Sequence, residues 1–164
     1  MRVLRFVIII YLMSLSQVNA VNITGDDNEI NSDETAQQVY NADDTSLTIT
    51  NSATLSRSGQ APVNINEKGN ATLTINAGSS ITATSHNTVQ GKDQTGLTVT
   101  NSGTISSGGS KAINLLNAQN STVTNNAGGI IKSNTNTITL TEVSGTGNNV
   151  TITNSGQIFA EAVS

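Results

Sequence analysis

Cysteine is absent from the 164 residues, aromatic side chains make up 2% of them and charged ones 11%. Without cysteine there are no disulfides and no thiolate chemistry, and with one histidine the usual zinc sites are excluded too. A chain so poor in aromatics, with Ser, Thr, Asn and Gly filling much of the rest, is either disordered or buries small aliphatics by a repetitive device. Beyond residue 20 the bases are Arg57, Lys68, Lys92, Lys111 and Lys132, set against 11 carboxylates. That balance disfavours a nucleic-acid partner, because phosphate binding calls for a basic surface.

The first twenty residues have the pattern of a secretory signal. Arg2 and Arg5 form a basic start, Phe6 to Leu15 an apolar run, and Val18-Asn19-Ala20 a small-residue cleavage site. The apolar run falls short of the ~20 residues that span a bilayer, so cleavage rather than anchoring is expected. No second hydrophobic run follows, so no transmembrane helix is expected in the mature chain. The reading divides the protein into a signal peptide at 1–20, an acidic cap or leader at 21–46, and repeats from 47 to 164. The acidic part carries seven carboxylates from Asp26 to Asp44 without one base.

The repeat organises everything after residue 46. Leu47-Thr48-Ile49-Thr50-Asn51 recurs as Leu73-Thr74-Ile75-Asn76-Ala77, Leu97-Thr98-Val99-Thr100-Asn101, Ser121-Thr122-Val123-Thr124-Asn125 and Val150-Thr151-Ile152-Thr153-Asn154. Starts at 47, 73, 97, 121 and 150 fall at solenoid spacings of 24–29 residues. A second register runs through Val63, Val89, Ile113 and Ile138. Each unit then has a two-periodic strand such as Leu97/Val99, a single inward residue such as Ile105 or Ile130, and a strand such as Ile113/Leu115. Turn residues such as Asn101-Ser102-Gly103 separate them. The fold expected is all-β: a right-handed parallel β-helix of about five coils.

Stacking like on like predicts narrow aliphatic columns inside, too tight for aromatics. The stack expected is Ile49, Ile75, Val99, Val123 and Ile152. Asn51, Asn101, Asn125 and Asn154 occupy a common turn position and predict an amide ladder. Val21-Asn22-Ile23-Thr24, with Val39 as its second strand, would begin a sixth, imperfect coil. The last unit should reach its second strand near residue 166, so the chain reads as the front part of a longer protein.

A signal sequence followed by Leu-Thr-Ile-Thr-Asn-Ser-Gly-x-Ile coils resembles the passenger region of bacterial autotransporters and related adhesins. The resemblance spans about residues 47 to 160 and is best at 101 to 105 and 154 to 158. It implies export to the cell surface or secretion, and contact with host cells, neighbouring cells or a substratum. Such passengers carry many activities on one scaffold, so the resemblance fixes no activity. Family members end in an outer-membrane barrel, whereas no series of roughly ten-residue barrel strands with aromatic girdles is readable here. Self-translocation by this chain is therefore not implied.

Chemistry is sparse. His86 sits in the turn Thr84-Ser85-His86-Asn87 with Asp93 as its nearest carboxylate in sequence, and a triad needs three converging groups. From Leu47 onward the acids are Glu67, Asp93, Glu142 and Glu161, too scattered for the paired carboxylates of a glycosidase. Asp26-Asp27-Asn28-Glu29 lacks the spacing of a calcium loop. Asn-x-Ser/Thr matches at Asn22, Asn70, Asn120 and Asn149 are what composition alone gives. No catalytic, metal or cofactor residue is assigned, and the expected role is a non-enzymatic surface scaffold. The alternatives are a β-helical secreted enzyme whose catalytic part lies elsewhere, and an ice-binding protein. The last rests on Thr48/Thr50, Thr98/Thr100, Thr122/Thr124 and Thr151/Thr153 facing outward, with Thr74/Asn76 as an exception and uneven coil lengths against it.

Overall fold

The computed structural model describes residues 20–142 and 149–161. The signal-like segment therefore lies outside the described residues up to position 19, as does most of the loop between Thr141 and Asn149. The described residues contain strands and no helix. Three parallel sheets run the length of the molecule, and the chain visits them in turn.

Sheet A holds β1 (Ala20–Ile23), β3 (Gln37–Tyr40), β6 (Val63–Asn66), β9 (Val89–Lys92), β12 (Ile113–Leu116) and β15 (Ile138–Thr141). Sheet B holds β2 (Asn28–Ile30), β4 (Ser46–Ile49), β7 (Thr72–Ile75), β10 (Thr98–Asn101), β13 (Ser121–Asn125) and β16 (Val150–Asn154). Sheet C holds β5 (Thr54–Arg57), β8 (Ser80–Ala83), β11 (Thr104–Ser107), β14 (Ile130–Ser133) and β17 (Gln157–Ala160). This is a parallel β-solenoid. Each strand hydrogen-bonds the strands one coil away, so non-local pairing satisfies the backbone while alternate side chains point into a common interior.

The interior is built of short columns. In sheet A, Val63, Val89, Ile113 and Ile138 stack in register. In sheet C, Leu55, Ile81, Ile105, Ile131 and Ile158 do the same. Leu55, Ile81, Ile105 and Ile131 are fully buried, and burying one such side chain is worth roughly 1.5–3 kcal/mol.

Ile105 is not a lone inward residue: it belongs to a four-residue strand whose Ser107 also points inward and is buried. Its partner in the next coil is Ile131, while Ile130 pairs with Thr104. The sheet B column is Leu47, Leu73, Val99, Val123 and Ile152, with Ile49 and Ile75 stacking instead on Asn101. From Leu97 onward the repeated motif therefore runs two residues out of step with the stacking register. A two-residue slip preserves the inward and outward faces of every strand, so alternation could not reveal it. The true cause is a turn: from Val99 to Ile105 the chain uses two residues fewer than from Leu73 to Ile81.

The first coil is corrected as well. Val21 and its neighbours join sheet A, pairing Ile23 with Tyr40, and the sheet B strand is Asn28–Ile30, drawn from the acidic stretch. In β3 it is Gln38 and Tyr40, not Val39, that are buried. Tyr40 also shows that the interior admits an aromatic: it is 1% exposed, and its hydroxyl donates to the Thr72 carbonyl at 2.7 Å. Burial pushes this phenol far above its ordinary range.

The predicted amide ladder exists in three coils. Asn101 Nδ2 donates to Asn125 Oδ1 at 2.8 Å, and Asn125 Nδ2 to Asn154 Oδ1 at 2.8 Å. Asn51 is not a rung. It is exposed, with φ of 53°, two residues beyond the ladder position, which Ile49 fills in its coil.

Candidate binding face

Ser46, Thr72, Thr98, Thr122 and Thr151 pair in succession across β4, β7, β10, β13 and β16. Beside them run Thr48, Thr74, Thr100, Thr124 and Thr153. The corrected register removes the exception expected at Thr74/Asn76, because Thr72 and Thr74 are the partners of Thr98 and Thr100. Thr50, counted by sequence with Thr48, lies beyond the strand and donates from its hydroxyl to Glu29. The unequal coil lengths leave both ranks intact, since the length differences fall in turns outside sheet B.

Among the described residues none of the nine threonines in these ranks uses its hydroxyl in a bond to another protein group, whereas Ser46 Oγ accepts from the Asp27 amide at 2.9 Å. The flanking outward positions are saturated differently. Ser102 accepts from Asn126 Nδ2 at 2.9 Å, and on sheet C Ser80 Oγ donates to Thr54 Oγ1 at 3.2 Å.

The other sequence candidates do not converge. His86 is exposed in the turn after β8, with Ser85 Oγ 3.3 Å from its Nδ1, and its carbonyl accepts from Ser107 Oγ at 2.8 Å. Asp93 follows β9 and is occupied otherwise. Asn117 Nδ2 donates to its Oδ1 at 2.7 Å, and Lys92 Nζ lies 3.4 Å from its Oδ2. The Asn117 bond, with a smaller contribution from Lys92, holds this carboxyl below the usual range against a desolvation effect of opposite sign. No hydrogen bond joins His86 to Asp93 among the described residues. Glu161 pairs with Lys132 at 2.9 Å at the far end of sheet C.

The acidic stretch is knitted into the coil above it. Thr54 N donates to Asp33 Oδ1 at 2.9 Å, Gly69 N to Asp43 Oδ1 at 2.8 Å, and Asn70 Nδ2 to Asp44 Oδ1 at 3.0 Å. Glu34 Oε1 accepts from the Thr35 and Ala36 amides at 2.7 and 2.8 Å. These carboxylates satisfy donors that would otherwise face solvent. A shallow, open hollow beside them is lined by Asp27, Asn28, Glu29, Thr48 and Thr50. Among the described residues no three acidic, histidine or cysteine side chains cluster as metal ligands would.

The arrangement defines a parallel β-solenoid with one chemically uniform outer face. Compared with models of protein families, with curated proteins and with solved structures, the chain matches none at a significant level.

Proposed function

We propose that this chain is an exported β-solenoid scaffold that acts by contact at its outer surface, in the manner of an adhesin-like passenger of the autotransporter kind. One observation supports this best. The interior columns are mainly aliphatic, while the charged side chains are scattered over the surface and several of them are tied into local bonds. A rigid rod of that kind offers faces and turns for recognition. The basic and apolar opening of the sequence, with small residues at 18 to 20, supports export. No helix of the described residues is long and apolar enough to cross a membrane.

The test is expression of the full chain in a Gram-negative bacterium, with mass spectrometry of the product recovered from outside the inner membrane. A mature amino terminus at Val21 is expected. Intact Met1 in the cytoplasmic fraction would refute export. Hydrolase or lyase activity on polysaccharide, ester or peptide substrates, lost on changing His86 or Asp93, would refute the non-catalytic reading.

A further inference from the structure

The outer face of sheet B departs from what strand propensity alone produces, and the molecule contains its own control. Threonine is favoured on any half-exposed strand. Sheets A and C are built under the same constraint, yet their outward positions are mixed. Sheet A shows Asn64, Gln90, Asn114 and Thr139 in one rank and Asn66, Lys92, Leu116 and Thr141 in the next. Sheet C shows Ser56, Thr82, Ser106, Lys132 and Phe159 in one rank. Only sheet B, over the strands from β4 to β16, carries threonine at every place of both ranks after Ser46. Its uniformity needs a cause that the other two sheets lack.

Three properties of the face point to the same ligand. It repeats in two directions, about 4.8 Å from strand to strand and about 6.7 Å between alternate residues along a strand. From β4 to β16 it carries no charge and no aromatic ring, a carboxylate entering the rank only at Glu29 of β2, in line with Thr48, so over those strands it offers neither partners for an ionic group nor a stacking surface for a sugar ring. Its nine threonine hydroxyls are left free by the protein, while neighbouring polar side chains bond one another. β-Branching restricts each χ1, so a rank of threonines on equivalent backbone repeats a hydroxyl and a methyl at fixed intervals. A partner that gains from such an array must itself repeat in two dimensions and exchange hydrogen bonds at uncharged oxygens. A crystalline layer of water does both, with its oxygens meeting the hydroxyls and its open spaces taking the methyl groups.

We propose that the threonine face of sheet B binds the surface of ice. This stands apart from the adhesin reading and does not depend on it. The experiment uses the full chain and measures ice-crystal growth and recrystallisation in its presence, together with its partition into slowly grown ice. The wild type should enter the ice and suppress growth. Thr100→Tyr, in the middle of the face, should lose most of the effect, and Thr82→Tyr, on the outer face of sheet C, should keep it. Unchanged circular dichroism of both variants would tie the loss to the face and not to unfolding. The proposal is overturned if the folded wild type leaves ice growth unaltered. It is also overturned if both variants lose the effect equally, or if Thr100→Tyr instead abolishes dimerisation or binding to crystalline cellulose in a chain without action on ice.

Discussion

Asn125 accepts the side-chain amide of Asn101 at 2.8 Å and passes its own amide to Asn154 at the same distance. The amides also reach the backbone: Asn101 Nδ2 lies 3.1 Å from the Ile130 carbonyl and Asn125 Nδ2 3.1 Å from that of Gln157. Asn125→Ala removes the central rung together with its bonds to the Gly129 and Gln157 carbonyls. The expected loss is roughly 2–4 kcal/mol, measured by urea denaturation. Asn51→Ala should cost only about 1 kcal/mol, the scale of a left-handed backbone without its favoured residue. Equal losses at the two positions would mean the ladder extends to Asn51 after all.

The ladder also requires small neighbours. Gly129 lies against it, and a Cβ there would stand 2.6 Å from the Asn101 carbonyl oxygen and 3.0 Å from that of Asn126. Backbone on both sides cannot yield as a side chain would. Gly129→Ala is expected to destabilise by about 1–3 kcal/mol, and calorimetry of the purified chain is the direct check. The matching position in the coil of Ile49 is occupied by Ala53, where no amide needs the space.

Alternation on β10 supplies a paired test. Val99 is fully buried between Leu73 and Val123, whereas Thr98 is exposed on the same strand. Val99→Asp should cost roughly 3 kcal/mol or more, because an unpaired charge enters an apolar column. Thr98→Asp should cost under about 1 kcal/mol. Thermal melts of both variants read the difference, and similar values would contradict the inward face described here.

Gln94 is buried with neither amide atom hydrogen-bonded, and it packs over Gly91, where Ile65 and Leu115 stand in the adjoining coils. Its chain fills the space that the glycine leaves. Gln94→Leu keeps the volume and removes the orphaned amide, so it should raise stability by about 1 kcal/mol. A fall of that size in the denaturation midpoint would show that the amide is satisfied in solution.

Asp93 gives the pH dependence. Its folded carboxyl titrates below the ordinary aspartate value, mainly through the Asn117 bond. The associated stability is present above the unfolded pKa and is lost as pH falls through the folded one. Asn117→Ala should therefore raise the Asp93 pKa toward its ordinary value of about 3.9, followed by carbon-detected NMR titration of the carboxyl. An unmoved titration curve would assign the depression to Lys92 instead.

The strands and their faces were legible because period-two alternation and a repeat of similar length carry the information directly, as at Leu97/Val99 and Ile113/Leu115. The order of stacking was less so. Leu-Thr-Ile at 73 and Leu-Thr-Val at 97 look equivalent, but Leu97 stands one strand step earlier, where the previous coil has Ala71. The constant spacing from Val63 to Leu73, Val89 to Val99 and Ile113 to Val123 held the answer, since in these three coils the turn from sheet A to sheet B keeps its length. The unbroken threonine ranks were hidden by the same slip. Tyr40 and the strand at Asn28–Ile30 escaped because the first coil lacks the motif of the others and recruits acidic residues to close its turns.

The polarity of the amide ladder also bears on how such a rod could change its length by copying coils. Asn101 Oδ1, at the boundary with Ile75, is buried and has no partner, so the boundary costs about 1–3 kcal/mol once, whatever the number of asparagine coils after it. Duplicating a coil inside the asparagine block adds rungs and creates no new boundary. Inserting an isoleucine coil into that block would add one. Coils of one type should accordingly spread as uninterrupted runs, which makes the ladder a rule of inheritance for the repeat as well as a support for the fold.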